Sequence, residues 1–108
     1  LVNKSQLKVQ LIQNIDRKLP LEDIAQSQGK TFDDLLVEIE TVVSSGTRVN
    51  INYYLNDVLD EDSQDEVFDY FNEAETDDII DAYKEFDGLY TEEELRLMRI
   101  RFMSEVAN

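Results

Sequence analysis
The sequence predicts an all-α fold: a helix-turn-helix half followed by an acidic helical extension, about seven helices in one small domain. Three observations carry this expectation. Glycine and proline are scarce, three and one in 108 residues, so tight turns are few. Apolar residues recur at three- and four-residue spacing along most of the chain, the period of amphipathic helices. The stretch Leu21–Gly46, LEDIAQSQGKTFDDLLVEIETVVSSG, reads as a short helix, a turn at Gly29 and a second helix packed across the first.

In chain order, Leu7, Leu11, Ile15 and Leu19 recur every four residues with Ile12 beside them, predicting a first helix over Gln6–Leu19. Ser5 is its expected N-cap, and Pro20 its stop, because the residue before proline avoids the α region. The second helix is Leu21–Gln28, with Leu21, Ile24 and Ala25 on its buried edge and Gly29 at the left-handed position after it. Thr31 should cap the third, which carries Phe32, Leu35, Leu36, Ile39, Val42 and Val43 and stops at Ser44-Ser45-Gly46. Residues 4–46 thus form the helix-turn-helix half of a single domain spanning 1–108. Residues 47–51 are a short extended link, Val49 and Ile51 alternating with polar neighbours; a two-stranded wing would need more chain.

The acidic half, 52–107, opens with a short helix, Tyr53–Leu59, capped by Asn52. A capping box at Ser63–Glu66 should start the next, with Val67, Phe68, Tyr70 and Phe71. Thr76 should cap a helix carrying Ile79, Ile80, Tyr83 and Phe86, ended by Asp87-Gly88. A second box, Thr91–Glu94, opens the last helix, where Leu95, Met98, Phe102 and Val106 form the apolar stripe. The two halves should share one core through Leu35, Ile39, Val43, Leu55, Phe68, Ile79, Leu95 and Phe102.

Composition removes whole classes of chemistry. There is no cysteine and no histidine, so disulfides, thiolate zinc sites and the Ser–His and Cys–His nucleophile pairs are impossible. No apolar run approaches the roughly 20 residues of a membrane span. None of the three glycines begins a phosphate-binding loop. Asp60–Asp65 resembles a calcium loop only superficially: its sixth and twelfth positions hold Asp65 and Phe71 where an EF-hand needs Gly and Glu. A turn and a helix N-terminus explain the cluster. Tyr53, Tyr54, Phe68, Tyr70, Phe71, Tyr83 and Phe86 lie among acids rather than bases, which favours core packing over base stacking. No catalytic residue and no metal ligand is assigned.

The net charge of −15 is unevenly spread. Residues 1–54 hold six basic and seven acidic side chains, net −1; residues 55–108 hold four and eighteen, net −14. A polyanion is bound through Lys and Arg, so contact with DNA can come only from the first half. Its candidates are Lys4, Lys8, Arg17, Lys18, Lys30 and Thr31. The third helix itself carries Asp33, Asp34, Glu38 and Glu40 and no base. Contact should therefore run through the turn and the first helix rather than along the helix after Gly29.

The order of these features resembles a known module. LEDIAQSQGKTFDDLLVEI is similar to the helix-turn-helix at the C-terminus of some bacterial RecQ-family ATP-dependent DNA helicases. The later run, with its "EFDG" and "YTEEELRLMR" segments, resembles the acidic helical extension that follows it there. The likeness covers nearly all of residues 4–106. The HRDC domain, another small helical helicase module, would not account for the Ile24-Ala25…Gly29…Leu35 spacing. The resemblance implies a non-catalytic accessory domain of an enzyme that unwinds DNA 3′ to 5′ in repair and recombination. Its partners would be DNA, weakly or indirectly, and the motor core of the same chain. ATP and Mg2+ would belong to that motor, whose phosphate-binding loop and metal-binding carboxylate motif are missing here, so no cofactor is expected in this fragment. A start at Leu1 rather than Met fits a piece of a longer protein, and the setting would be the bacterial cytoplasm, at the nucleoid. The rival expectation is a protein-interaction module whose acidic half docks on a basic surface of the helicase or of a repair partner.

Overall fold
Seven α-helices follow one another in a computed structural model that describes residues 4–107. They are α1 (Lys4–Asp16), α2 (Leu21–Ser27), α3 (Phe32–Ser44), α4 (Asn52–Val58), α5 (Glu61–Glu73), α6 (Ile79–Glu85) and α7 (Glu92–Phe102). α7 widens at its end into a π-helical turn, Met103–Ala107. There is no strand among the described residues, so the all-α expectation stands.

The helix ends show which local signals were read well. Thr31 caps α3, its Oγ1 accepting the Asp34 N–H at 3.1 Å. Thr91 and Glu94 form the expected reciprocal box on α7. Gly29 stands at φ +67 after α2, with the Lys30 N–H donating to the Ala25 carbonyl and the Gly29 N–H to that of Gln26. This paired return closes the helix and turns the chain sharply into α3.

Five other ends differ. α1 begins before Ser5, which lies inside it, and stops three residues short of Leu19. Its stop is a left-handed Lys18 (φ +61), with Leu19 N–H returning to the Asn14 carbonyl; Pro20 instead stands at the start of α2. Asn52 is the first residue of α4 rather than its cap, and the Asn50 side chain accepts its N–H at 2.9 Å. α5 starts before Ser63, because the Asp60 carboxylate accepts the Ser63 N–H. α6 is capped by Asp78, whose side chain accepts the Asp81 N–H, and not by Thr76. Where acids and hydroxyls crowd together, a carboxylate a few residues away can win the cap.

One apolar cluster joins the halves, and α7 lies at its centre, packed against α3, α4, α5 and α6. Leu35, Ile39, Val43, Leu55 and Leu95 are buried as expected, while Phe68, Ile79 and Phe102 are half-buried against them. The apolar stripe of α7 is broader than its spacing suggested. Leu95, Leu97, Met98 and Ile100 are all fully buried, whereas Val106, in the π turn, is exposed. The link carries no regular secondary structure, and Val49 and Ile51 in it are buried. Ser104 pins it: its Oγ donates to the Val49 carbonyl at 2.7 Å and accepts the Val49 N–H at 2.8 Å. Of the aromatic side chains assigned to the core, Tyr83 is the exception, facing solvent on α6. Among the described residues no helix is long and apolar enough to cross a membrane.

Candidate nucleic-acid interface
α3 is amphipathic, so its sequence decides which side it can offer. Leu35, Leu36, Ile39, Val42 and Val43 are buried, and Asp34, Val37, Thr41 and Ser44 point to solvent. Glu38 and Glu40 stand on the two flanks between these faces, and each flank is neutralised differently.

On one flank, the sharp return at Gly29 brings Lys30 back over α3, where its ammonium pairs with Glu38. Lys30, Glu38, Thr41, Val42 and Ser45 then form one wall of a groove whose other wall is Leu7 and Lys8 of α1. The groove holds about 520 Å³. Lys8 has no carboxylate partner among the described residues.

On the other flank, two arginines of α7 close on Glu40. Arg96 donates to both of its oxygens, at 3.2 and 2.8 Å, and Arg99 donates to Oε2 at 2.7 Å. Arg96 also reaches Asp33 at 3.3 Å. Burial by itself would raise the Glu40 pKa; the hydrogen bonds and charges of Arg96 and Arg99 outweigh it and hold the carboxyl below its ordinary value. Reciprocally, the hydrogen bond that Arg96 donates to Glu40 raises the Arg96 pKa against a lesser opposing effect of burial.

α4 is tied to the same unit from below. Tyr53 donates its hydroxyl to the Leu19 carbonyl and Tyr54 to the Glu22 carboxylate. Burial, followed by the Glu22 charge, pushes the Tyr53 phenol up to about 12.

The candidates picked from sequence do not form one patch. Lys8, Lys30 and Thr31 lie at the α1–α3 groove and the turn beside it. Arg17 lies just past the end of α1, exposed and outside the lining of the groove. Lys18 borders a separate polar trough with Asn50, Asn52 and Asn56. The Lys4 side chain falls outside the described residues. Sequence reasoning missed Arg96 and Arg99. Their i, i+3 spacing placed them on one side of α7, but nothing local named Glu40, 56 and 59 residues away, as their partner.

Residues 5–55, which run from α1 through α3 and the link into α4, match the family model described as the RecQ-1-like helix-turn-helix domain. No curated protein matches the chain.

Proposed function
From the RecQ-1-like helix-turn-helix domain that residues 5–55 form, we propose that this chain is a non-catalytic accessory domain of a RecQ-type ATP-dependent 3′–5′ DNA helicase of repair and recombination. It helps position DNA against the motor, in the bacterial cytoplasm at the nucleoid. ATP and Mg2+ are used by the motor and not by this domain. One observation supports DNA contact despite the acidity of α3. Three of its four carboxylates, Asp33, Glu38 and Glu40, are ion-paired with Lys30, Arg96 and Arg99. The helix therefore meets a phosphate backbone with most of its repulsion already cancelled, and Lys8 adds an uncompensated cation beside it.

The contact runs through Lys8, Lys30 and Thr31. Phosphate binding by Lys30 requires it to leave Glu38, so Glu38 weakens the site. The test is fluorescence anisotropy with single-stranded, duplex and forked DNA across a salt series. Each phosphate contact contributes about 0.9 to the log–log salt slope on duplex DNA. Lys8→Ala should flatten that slope by about one such unit, and Glu38→Gln, which frees Lys30, should steepen it by about as much. Absence of binding at about 50 mM salt, where counterion release is strongly favourable, would overturn direct contact. A phosphate-binding loop and a DEAH-type carboxylate motif elsewhere in the full-length protein would support the helicase parent, and their absence would remove it.

A further inference from the structure
The acids of α6 contrast with those of α3. Asp77, Asp78, Asp81, Glu85 and Asp87 are all exposed, and none is ion-paired among the described residues. Lys84 is the single base between residues 77 and 89, leaving that segment at net −4. The same segment exposes apolar surface. Ile80 is 59% exposed, Tyr83 41% and Leu89 69%, the last the largest exposure of any bulky apolar side chain in the described chain. Ile80 and Tyr83 are one helical turn apart and so are neighbours on one face. The return after α6 carries the Gly88 N–H back to the Tyr83 carbonyl, and the Tyr83 hydroxyl reaches over Gly88. Leu89 follows directly, its N–H donating to the Phe86 carbonyl at 3.0 Å. The inward side of α6, Ala82 with half-buried Ile79 and Phe86, is already spent on the core.

We propose that the outer face of α6 and the turn after it, which expose Ile80, Tyr83 and Leu89 beside Asp77, Asp81, Glu85 and Asp87, form a docking surface for a basic amphipathic segment of a protein partner. The charge selects the occupant. Nucleic acid and anionic lipid are repelled by unpaired carboxylates, and a second copy of a chain at −15 is repelled likewise. A helix with apolar side chains one turn apart and Lys or Arg beside them satisfies both parts of the surface, burying the exposed apolar side chains and meeting the carboxylates. The proposal is independent of DNA contact, which falls on residues of the other half.

The probe is a fluorescein-labelled peptide of about 14 residues made only of Leu and Lys, with Leu at helical i, i+3, i+4 and i+7 positions. Two controls accompany it: the same composition in scrambled order, and Glu in place of every Lys. With the 108-residue chain, the patterned peptide should bind more tightly than the scrambled one and weaken with salt, and the Glu peptide should not bind. Amide shift changes should centre on residues 77–89. Ile80→Ser with Leu89→Ser, both on exposed side chains, should weaken binding by about tenfold or more while leaving the circular dichroism and melting temperature unchanged. Glu85→Gln with Asp87→Asn should flatten the salt dependence. Equal binding by the scrambled peptide or by the serine variant, shift changes centred on another acidic surface, or no binding at all would each overturn the proposal. Self-association through this face, or binding to phosphatidylserine vesicles, would replace it with a second copy or a lipid surface.

Discussion

α3 and α7 are the two helices around which the others are arranged, and they are buried in different ways. α3 buries one stripe and leaves Asp34, Val37, Thr41 and Ser44 in solvent. α7 is enclosed by α3, α4, α5 and α6, and its successive residues Leu97 and Met98 are both fully buried, although they point about 100° apart on a helix. Its arginines are consumed by this enclosure. Arg96 and Arg99 hold Glu40, while Arg101 donates to Gln64 and Glu105 and lies 5.1 Å over the Phe68 ring. α7 carries three arginines against three N-terminal glutamates, whereas α3 carries four acids and no base, so by charge alone α3 is the more repulsive of the two to a phosphate backbone. The packing narrows that difference: the arginines of α7 are spent inside the fold, where they pair with Asp33 and Glu40 of the acidic helix.

The largest effect that can break this comparison is at Leu97. Replacing it by Ala removes a side chain buried on a face of α7 that a one-sided helix would leave wet. The expected loss is about 2–5 kcal/mol, the range for large-to-small changes in a packed core, read from urea unfolding. A loss below about 1 kcal/mol, typical of surface changes, would mean that α7 is not enclosed.

Ser104→Ala comes next. The serine hydroxyl satisfies both polar groups of Val49, itself buried in the link. Removing it strands an N–H and a carbonyl away from water, at a cost of about 1–3 kcal/mol. Amide exchange at Val49 should quicken by more than global destabilisation explains, because the link would open locally. Unchanged exchange at Val49 would show that the clamp does not hold the two halves together.

Glu40 sharpens the comparison through pH. Its folded pKa lies below the ordinary 4.5 because the pull of Arg96 and Arg99 outweighs burial. A depressed carboxylate pKa contributes stability that is present above the unfolded value and is lost as pH falls through the folded one. Glu40→Gln should therefore destabilise the protein near neutrality by about 1 kcal/mol or somewhat more, the scale of a charged hydrogen bond. The wild type and the variant should converge as pH drops below 4.5 and through the folded value. A stability difference that stayed constant across that range would assign the effect to packing rather than to charge.

The same contrast explains what could be read in the sequence. Helices such as α3, with one wet face, announce themselves by apolar spacing, and caps such as Thr31 and the Thr91–Glu94 box are local chemistry, so both were legible. Enclosure was not: Leu97 and Ile100 fall off the 3.6-residue stripe, and only the neighbours of α7 reveal why they are buried. The stop of α1 at Lys18 was hidden because a lysine, not a glycine, takes the left-handed position. At the candidate interface, Lys8, Lys30 and Thr31 were picked by residue type and position alone. Arg17 and Lys18 lie in the turn that ends α1, and Lys18 instead borders Asn50, Asn52 and Asn56. The pairing of Glu40 with Arg96 depends on contact between the two halves, which no local pattern encodes.

The smallest expected effect is the most specific test of which side of α3 is open. Val37 is 54% exposed on its outward face, so truncation should cost little buried area. Alanine also has the higher helix propensity, by a few tenths of a kcal/mol, since the β-branched side chain loses rotamer freedom in a helix. Val37→Ala should therefore leave the unfolding free energy within about 0.5 kcal/mol of the wild type, or raise it slightly. The denaturant midpoint should stay put and the slope should not change. A larger loss would mean that the side chain is covered in solution, for instance by a second copy lying along α3. In that case the face left over by the core would already be occupied, and the approach of DNA to the α1–α3 groove would have to compete with that cover.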